Sequence, residues 1–201
     1  MRRFVVLLAA VAVIAFAAPV LAQITNTPHN LNNYPGVVLP GNQVCLPCHV
    51  PHNAYPYQYQ DPLQQKVLWN HAETTQTFTM YTTLSGHTGS GPEGPSKMCL
   101  SCHDGVTAID SYGGGTGTIV IAGGAALGTD LSNDHPIGIA YPTNDPGYNP
   151  PAGFQGVQLV NINGVDRVEC TSCHEPHNNS LGRFLRRTLN ESLICLECHN
   201  K

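Results

Sequence analysis

The longest apolar run opens the chain: Met1-Arg2-Arg3 is followed by unbroken apolar sequence from Phe4 to Val20. A positive start, an apolar middle and the small-residue exit Val20-Leu21-Ala22 predict a secretory leader over residues 1–22, cleaved before Gln23. The alternative is an uncleaved anchor, because the run approaches spanning length. Pro19 and the cleavage site favour the leader. No second apolar stretch of that length follows, so no stable membrane insertion is expected after cleavage.

Beyond the leader the pattern breaks into short pieces. Residues 23–42 are polar, with Pro28, Pro35 and Pro40, and read as an extended arm carrying His29. Gly41 or Asn42 can begin a short turn at Cys45. A Tyr-, Gln- and Pro-rich loop runs from Tyr55 to Gln60. Lys66 to Asn70 is an apolar patch around Trp69, followed by His71. Thr77 to Leu84, rich in β-branched and aromatic residues, predicts a short strand, and residues 85–96 a Gly/Pro loop with His87. A helical turn is expected from Ser96, stopped by Gly105. One strand is expected at residues 118–121 inside a glycine-rich loop, whose glycines suit close backbone packing. Val157–Ile162 and Val165–Val168 flank Asn163-Gly164, a strong hairpin signal. Thr188-Leu189-Asn190-Glu191 reads as a capping box opening a final helix of about three turns.

Composition changes that picture. Of 201 residues only 11 % are charged, while 20 are glycine and 16 proline, which suits a loop-rich chain rather than a packed α or β domain. Length predicts one domain, residues 23–201. The net charge is −4, and −6 without Arg2 and Arg3, so nothing favours nucleic acid.

The cysteines explain how such a chain could acquire a core. All eight fall in four Cys-x-x-Cys-His units: Cys45, Cys48 and His49; Cys99, Cys102 and His103; Cys170, Cys173 and His174; Cys195, Cys198 and His199. This is the attachment pattern of c-type haem. Thiols at i and i+3 share one face of a helical turn, and both can add to one porphyrin's vinyl groups. The next histidine supplies the proximal nitrogen. Zinc ribbons or four disulfides would not require a histidine after every pair. The expectation is four covalently bound haem c groups. The fold expected is a multihaem cytochrome c: mostly irregular coil, short helices at the motifs, one or two small β-hairpins, and the haem stack as core.

Six histidines remain for four second axial positions: His29, His52, His71, His87, His135 and His177. Methionine ligation is disfavoured, because Met98 abuts Cys99 and Met80 has no motif around it. Bis-histidine irons have lower potentials than His/Met irons. His52 and His177 each lie three residues beyond a proximal histidine, so neither can cross to the far face of its own haem. Each must serve another haem if it ligates at all. His135, oriented beside Asp134 and Pro136, is favoured as a ligand. His29 is favoured too, since ligation would order an arm without other anchors. His71 is a further candidate, or packs on the apolar patch; His87 reads as a solvated bystander.

The chain resembles the doubled Cys-x-x-Cys-His cytochromes and, within them, the tetrahaem extracellular cytochrome nanowires (OmcE-type). The likeness rests on Pro28-His29-Asn30, residues 45–53, Leu68-Trp69-Asn70-His71, residues 96–106, 131–138 and 170–178. It implies that His52 ligates a haem of a neighbouring subunit while His177 acts within its own. It also favours His29 and His135 over His71 as distal ligands. Such families include filaments for long-range electron transfer, and soluble members as well.

The expected function is an exported, extracellular electron-transfer protein, with copies of itself and redox proteins or extracellular acceptors as partners. One alternative is a monomeric periplasmic shuttle, in which His52 would close a haem of its own chain. A multihaem redox enzyme is disfavoured, because histidines outnumber vacancies and few cations remain to surround an open iron.

Overall fold

The computed structural model describes residues 24–52, 54, 67–83, 89 and 91–200. The leader over residues 1–22, the Tyr55–Gln60 loop and His87 lie outside the described residues.

Coil dominates, as the composition implies. Three short 3-10 turns, Ile24–Asn26, Leu31–Asn33 and Pro40–Asn42, punctuate the arm. Strand β1 (Thr79–Met80) precedes helix α1 (Gly94–His103), and β2 (Asp130–Leu131) and β3 (Ile139–Ala140) follow. The hairpin β4 (Val160–Ile162) and β5 (Val165–Val168) leads directly into α2 (Cys170–Cys173), and α3 (Cys195–Cys198) closes the chain. β1 pairs in parallel with β2, and β5 lies antiparallel between β3 and β4. Hairpin register follows from the turn: Asn163 and Gly164 both take positive φ (53° and 83°), as a type I′ turn requires.

The arm is not anchorless. Val37 and Leu39 are buried in a small apolar cluster with Ile109 and Ile121, so hydrophobic burial orders it independently of His29. That cluster is modest, and other buried apolar side chains are scattered along the chain.

Four expectations need correction. α1 starts at Gly94 rather than Ser96, because Pro95 suits the first helical turn; Gly105, at φ 68°, stands just past its end. The Thr77–Leu84 strand shrinks to Thr79–Met80 among the described residues. Residues 118–121 pair with no strand among the described residues, because the Asp110 carboxylate takes the role of a partner. It accepts from Thr118 N–H and Ile119 N–H, each at 2.9 Å, while Ile109 N–H donates to Ile119 O. The final three-turn helix does not form. Thr188 Oγ1 accepts from Asn190 N–H instead of capping Glu191, and Glu191 and Ser192 take φ of 54° and 58°. A 3-10 turn at Asn190–Ser192 and the four-residue α3 replace it.

One glycine in the central loop is there for close approach. A Cβ at Gly117 would lie 2.2 Å from Asp110 Oδ1. Gly117→Ala should therefore displace Asp110 from the 118–119 backbone and cost about 1–3 kcal/mol, read as a lowered midpoint in denaturant unfolding.

Candidate functional site

Three of the four Cys-x-x-Cys-His units are single turns closed by their own histidine. His49 N–H donates to Cys45 O at 2.8 Å, His174 N–H to Cys170 O at 3.0 Å, and His199 N–H to Cys195 O at 2.9 Å. The other unit forms the C-terminal end of α1. All eight sulfurs are unbridged. Burial pushes the Cys173 thiol up to about 11.

A second segment straps three of these turns in one repeated pattern. At the first, His49 Nδ1–H donates to Val67 O (2.6 Å), Val50 N–H to Leu68 O (3.0 Å) and Asn70 N–H to Cys48 O (3.0 Å). The Asn70 side chain then reaches back to Leu46 O at 2.6 Å. Residues 183–186 repeat this at the third motif. His174 Nδ1–H donates to Arg183 O (2.8 Å), Glu175 N–H to Phe184 O (2.7 Å), Arg186 N–H to Cys173 O (2.8 Å), and Arg186 Nε–H to Thr171 O (2.8 Å). At the fourth, Asn200 N–H meets Gly147 O (2.9 Å), Asn149 N–H meets Cys198 O (2.8 Å), and the Asn149 side chain meets Leu196 O (2.8 Å). The middle residue of each strap forms a β-bridge to the proximal histidine: Trp69 to His49, Leu185 to His174, Tyr148 to His199. The second motif keeps part of the device, with His103 Nδ1–H on Ala125 O at 2.7 Å.

The consequence is chemical. A carbonyl oxygen only accepts, so Nδ1 of His49, His103 and His174 carries the proton and Nε2 keeps the lone pair. Burial also pushes the His29 and His49 imidazoles down, which favours the neutral, ligating form.

Three proximal rings face a second imidazole. His29 stands 6.2 Å from His103, His177 6.0 Å from His49, and His135 6.3 Å from His199, between ring centroids. Two imidazoles on one metal, bonded at about 2 Å with each ring centre roughly 1 Å behind its nitrogen, put their centres roughly 6 Å apart. The residues present therefore fit an iron held between each pair. The second rings have bound Nδ1 atoms too: His29 to Pro176 O (3.3 Å), His135 to Pro136 O (3.1 Å) and His177 to the Glu175 carboxylate (3.0 Å). Phe184 stacks on His29 at 4.1 Å.

His177 thus stands against the first motif and not its own. Among the described residues, no imidazole faces His174 at that distance. His52 is exposed. His71 is buried, with Nδ1–H on Ala72 O at 2.8 Å and Nε2 3.6 Å from Cys102 Sγ, and no second histidine faces it among the described residues.

Neighbouring motifs are tied together. Thr74, just past the first strap, donates from N–H to Ser101 Oγ (2.9 Å) and from Oγ1 to Asp104 Oδ2 (2.6 Å) at the end of α1. Cys170 N–H donates to Ser96 Oγ (2.9 Å), joining α1 to α2. Glu197, inside the fourth motif, accepts from Gln155, Gly156 and Val157 N–H at 2.8–3.0 Å and pairs with Arg187. Asn70, Asn149, Arg186 and Glu197 were missed by sequence reasoning. The first three are two asparagines and an arginine that stand at different offsets from their motifs in sequence, and Glu197 occupies a variable position of Cys-x-x-Cys.

Residues 163–201 match a family model, the doubled CXXCH motif. No curated protein matches the chain. The matched segment holds the third and fourth motifs. It supports a multihaem c-type cytochrome involved in electron transfer, with haem c bound covalently through the cysteines.

Asn70→Ala leaves Leu46 O without its donor and should lower stability by about 1–2 kcal/mol, measured by denaturation of the haem-loaded protein. Glu197 gives a pH signature. Burial would raise its carboxyl, but Arg187 and three N–H groups outweigh it and hold the group below its ordinary value. Its stabilisation is then complete above the unfolded value of about 4.3 and is lost as pH falls through the folded one. Glu197→Gln should cost about 2–3 kcal/mol at neutral pH, a deficit that narrows in acid when unfolding is titrated against pH.

Proposed function

We propose that the chain is exported by residues 1–22 and carries electrons along four bis-histidine haems. We further propose that its copies join into an extracellular filament through His52. When bound, each haem supplies an iron that cycles between the ferric and ferrous states. The protein's part is positional. The straps aim the proximal Nε2 atoms, while His29, His177 and His135 close the irons of the second, first and fourth motifs. With both axial sites taken, no iron is left open to a substrate, which argues against a redox enzyme.

The observation that carries the reading is the remainder after this pairing. Three second histidines are used crosswise within the chain, His174 has no partner among the described residues, and His52 is exposed. Its position three residues beyond His49 keeps His52 from closing the haem of its own motif. A second copy presenting His52 to His174 satisfies both groups. The joint is heterologous, using different surfaces on the two copies, and such contacts propagate when rotation does not close a ring.

The test is electron microscopy of the haem-loaded protein purified without denaturant, with haem spin state read by electron paramagnetic resonance. Wild-type protein should form uniform filaments with a subunit-sized repeat and all haems low-spin. His52→Ala should yield discrete monomers in which one haem in four turns high-spin. Filaments unchanged in the variant would sink the His52 joint, and wild-type monomers with every haem low-spin would favour the periplasmic shuttle.

A further inference from the structure

Trp69 is buried, and its indole Nε1–H has no hydrogen-bond partner. A buried donor left unpaired costs about 1–3 kcal/mol, and native interiors seldom tolerate one. Membership of the apolar patch at residues 66–70 accounts for the ring and not for the N–H.

The location of the ring indicates what the N–H meets. Trp69 is the middle residue of the first strap and forms an antiparallel bridge with His49. Bridged residues present their side chains on the same side of the ladder, so the indole shares the side of the proximal imidazole. The fourth strap shows the same arrangement, with the Tyr148 ring 5.1 Å from that of His199. On the other flank, the Trp69 ring lies 6.2 Å from His71, whose Nε2 approaches Cys102 of the second motif. Trp69 therefore stands at the seam between the first two attachment sites. The third strap carries Leu185 at this position, with no polar atom to satisfy.

We infer that Trp69 donates its indole N–H to a propionate carboxylate of the haem carried by Cys45 and Cys48. The proposal rests on haem loading at the first motif. A carboxylate is the acceptor a haem brings to such a site, and a charge-assisted bond suits a donor with no alternative. Donation delocalises the propionate charge, so the neighbouring iron feels less negative potential and is easier to reduce.

The chain has a single tryptophan, so ultraviolet resonance Raman reads this one N–H without interference. In the haem-loaded protein the indole band should lie at a hydrogen-bonded frequency and shift between the oxidised and reduced states. In a redox titration, Trp69→Phe, which keeps the ring and loses the donor, should lower one of the midpoint potentials and leave the others in place. Pyridine haemochrome counting is done first: fewer haems than motifs would count against the proposed function itself. With full loading, a free-indole frequency would overturn the inference, as would potentials that are all unchanged in Trp69→Phe. If that variant misfolds, the Raman result on the unaltered protein decides alone.

Discussion

The arrangement depends on the bond from a proximal imidazole's Nδ1–H to a backbone carbonyl. An imidazole has two nitrogens, and tying one to an obligate acceptor decides the chemistry of the other. Val67, Ala125 and Arg183 supply the carbonyls for His49, His103 and His174. Those carbonyls must themselves be held, which is what the straps accomplish with further backbone bonds around the Cys-x-x-Cys-His turns. Backbone polar groups that would form ladders in another fold are here committed to the motifs. That is a physical reason why, among the described residues, sheets are two or three strands and two of the three α-helices span four residues.

The second constraint is that the opposing imidazoles come from far away. His29 reaches the second motif from the arm, His135 reaches the fourth, and His177 reaches the first from just past the third. Closing loops of that length has an entropic cost that rises only slowly with length, so long connections are tolerated if their ends are well held. The turn over residues 175–177 holds two such ends: Pro176 O accepts from His29, and Glu175 accepts from His177. Arg186 pairs with Glu175 as well, which links this turn to the third strap.

Sequence patterns revealed the chemistry better than the architecture. Cysteine spacing located the four motifs, and the Asn163-Gly164 turn located the hairpin, because both signals are local. The capping box at Thr188 was local too, and it misled. The chain there serves Glu197, whose carboxylate gathers three N–H groups from residues 155–157, and a regular helix gave way to that contact. Straps could not be read at all. Their bonds are mainly backbone to backbone, and the reinforcing side chain is an asparagine (Asn70, Asn149) or an arginine (Arg186) at no fixed offset from its motif. The strand expected at residues 118–121 failed for a related reason, since Asp110 offers one side chain where a partner strand would offer a backbone.

The four motifs are not equivalent, and the difference bears on the proposed filament. The first and third share the longer pattern Cys-x-x-Cys-His-x-Pro-His and the same full strap, so each projects a second histidine in a similar local setting. His177, itself exposed, stands 6.0 Å from His49 between ring centroids, while no imidazole stands against the exposed His52 among the described residues. Two similar units have therefore reached opposite outcomes within one chain. If the repeat were satisfied internally, His52 would be expected to face His174 as His177 faces His49, giving a closed reciprocal pair. On the proposed reading that reciprocity is completed between copies, and each subunit offers a ligand at one surface and a proximal histidine awaiting one at another. On that reading a monomer would leave His52 and His174 each without the other, and a two-fold dimer would have to satisfy both joints at once. Propagation is the arrangement that asks the least of the geometry.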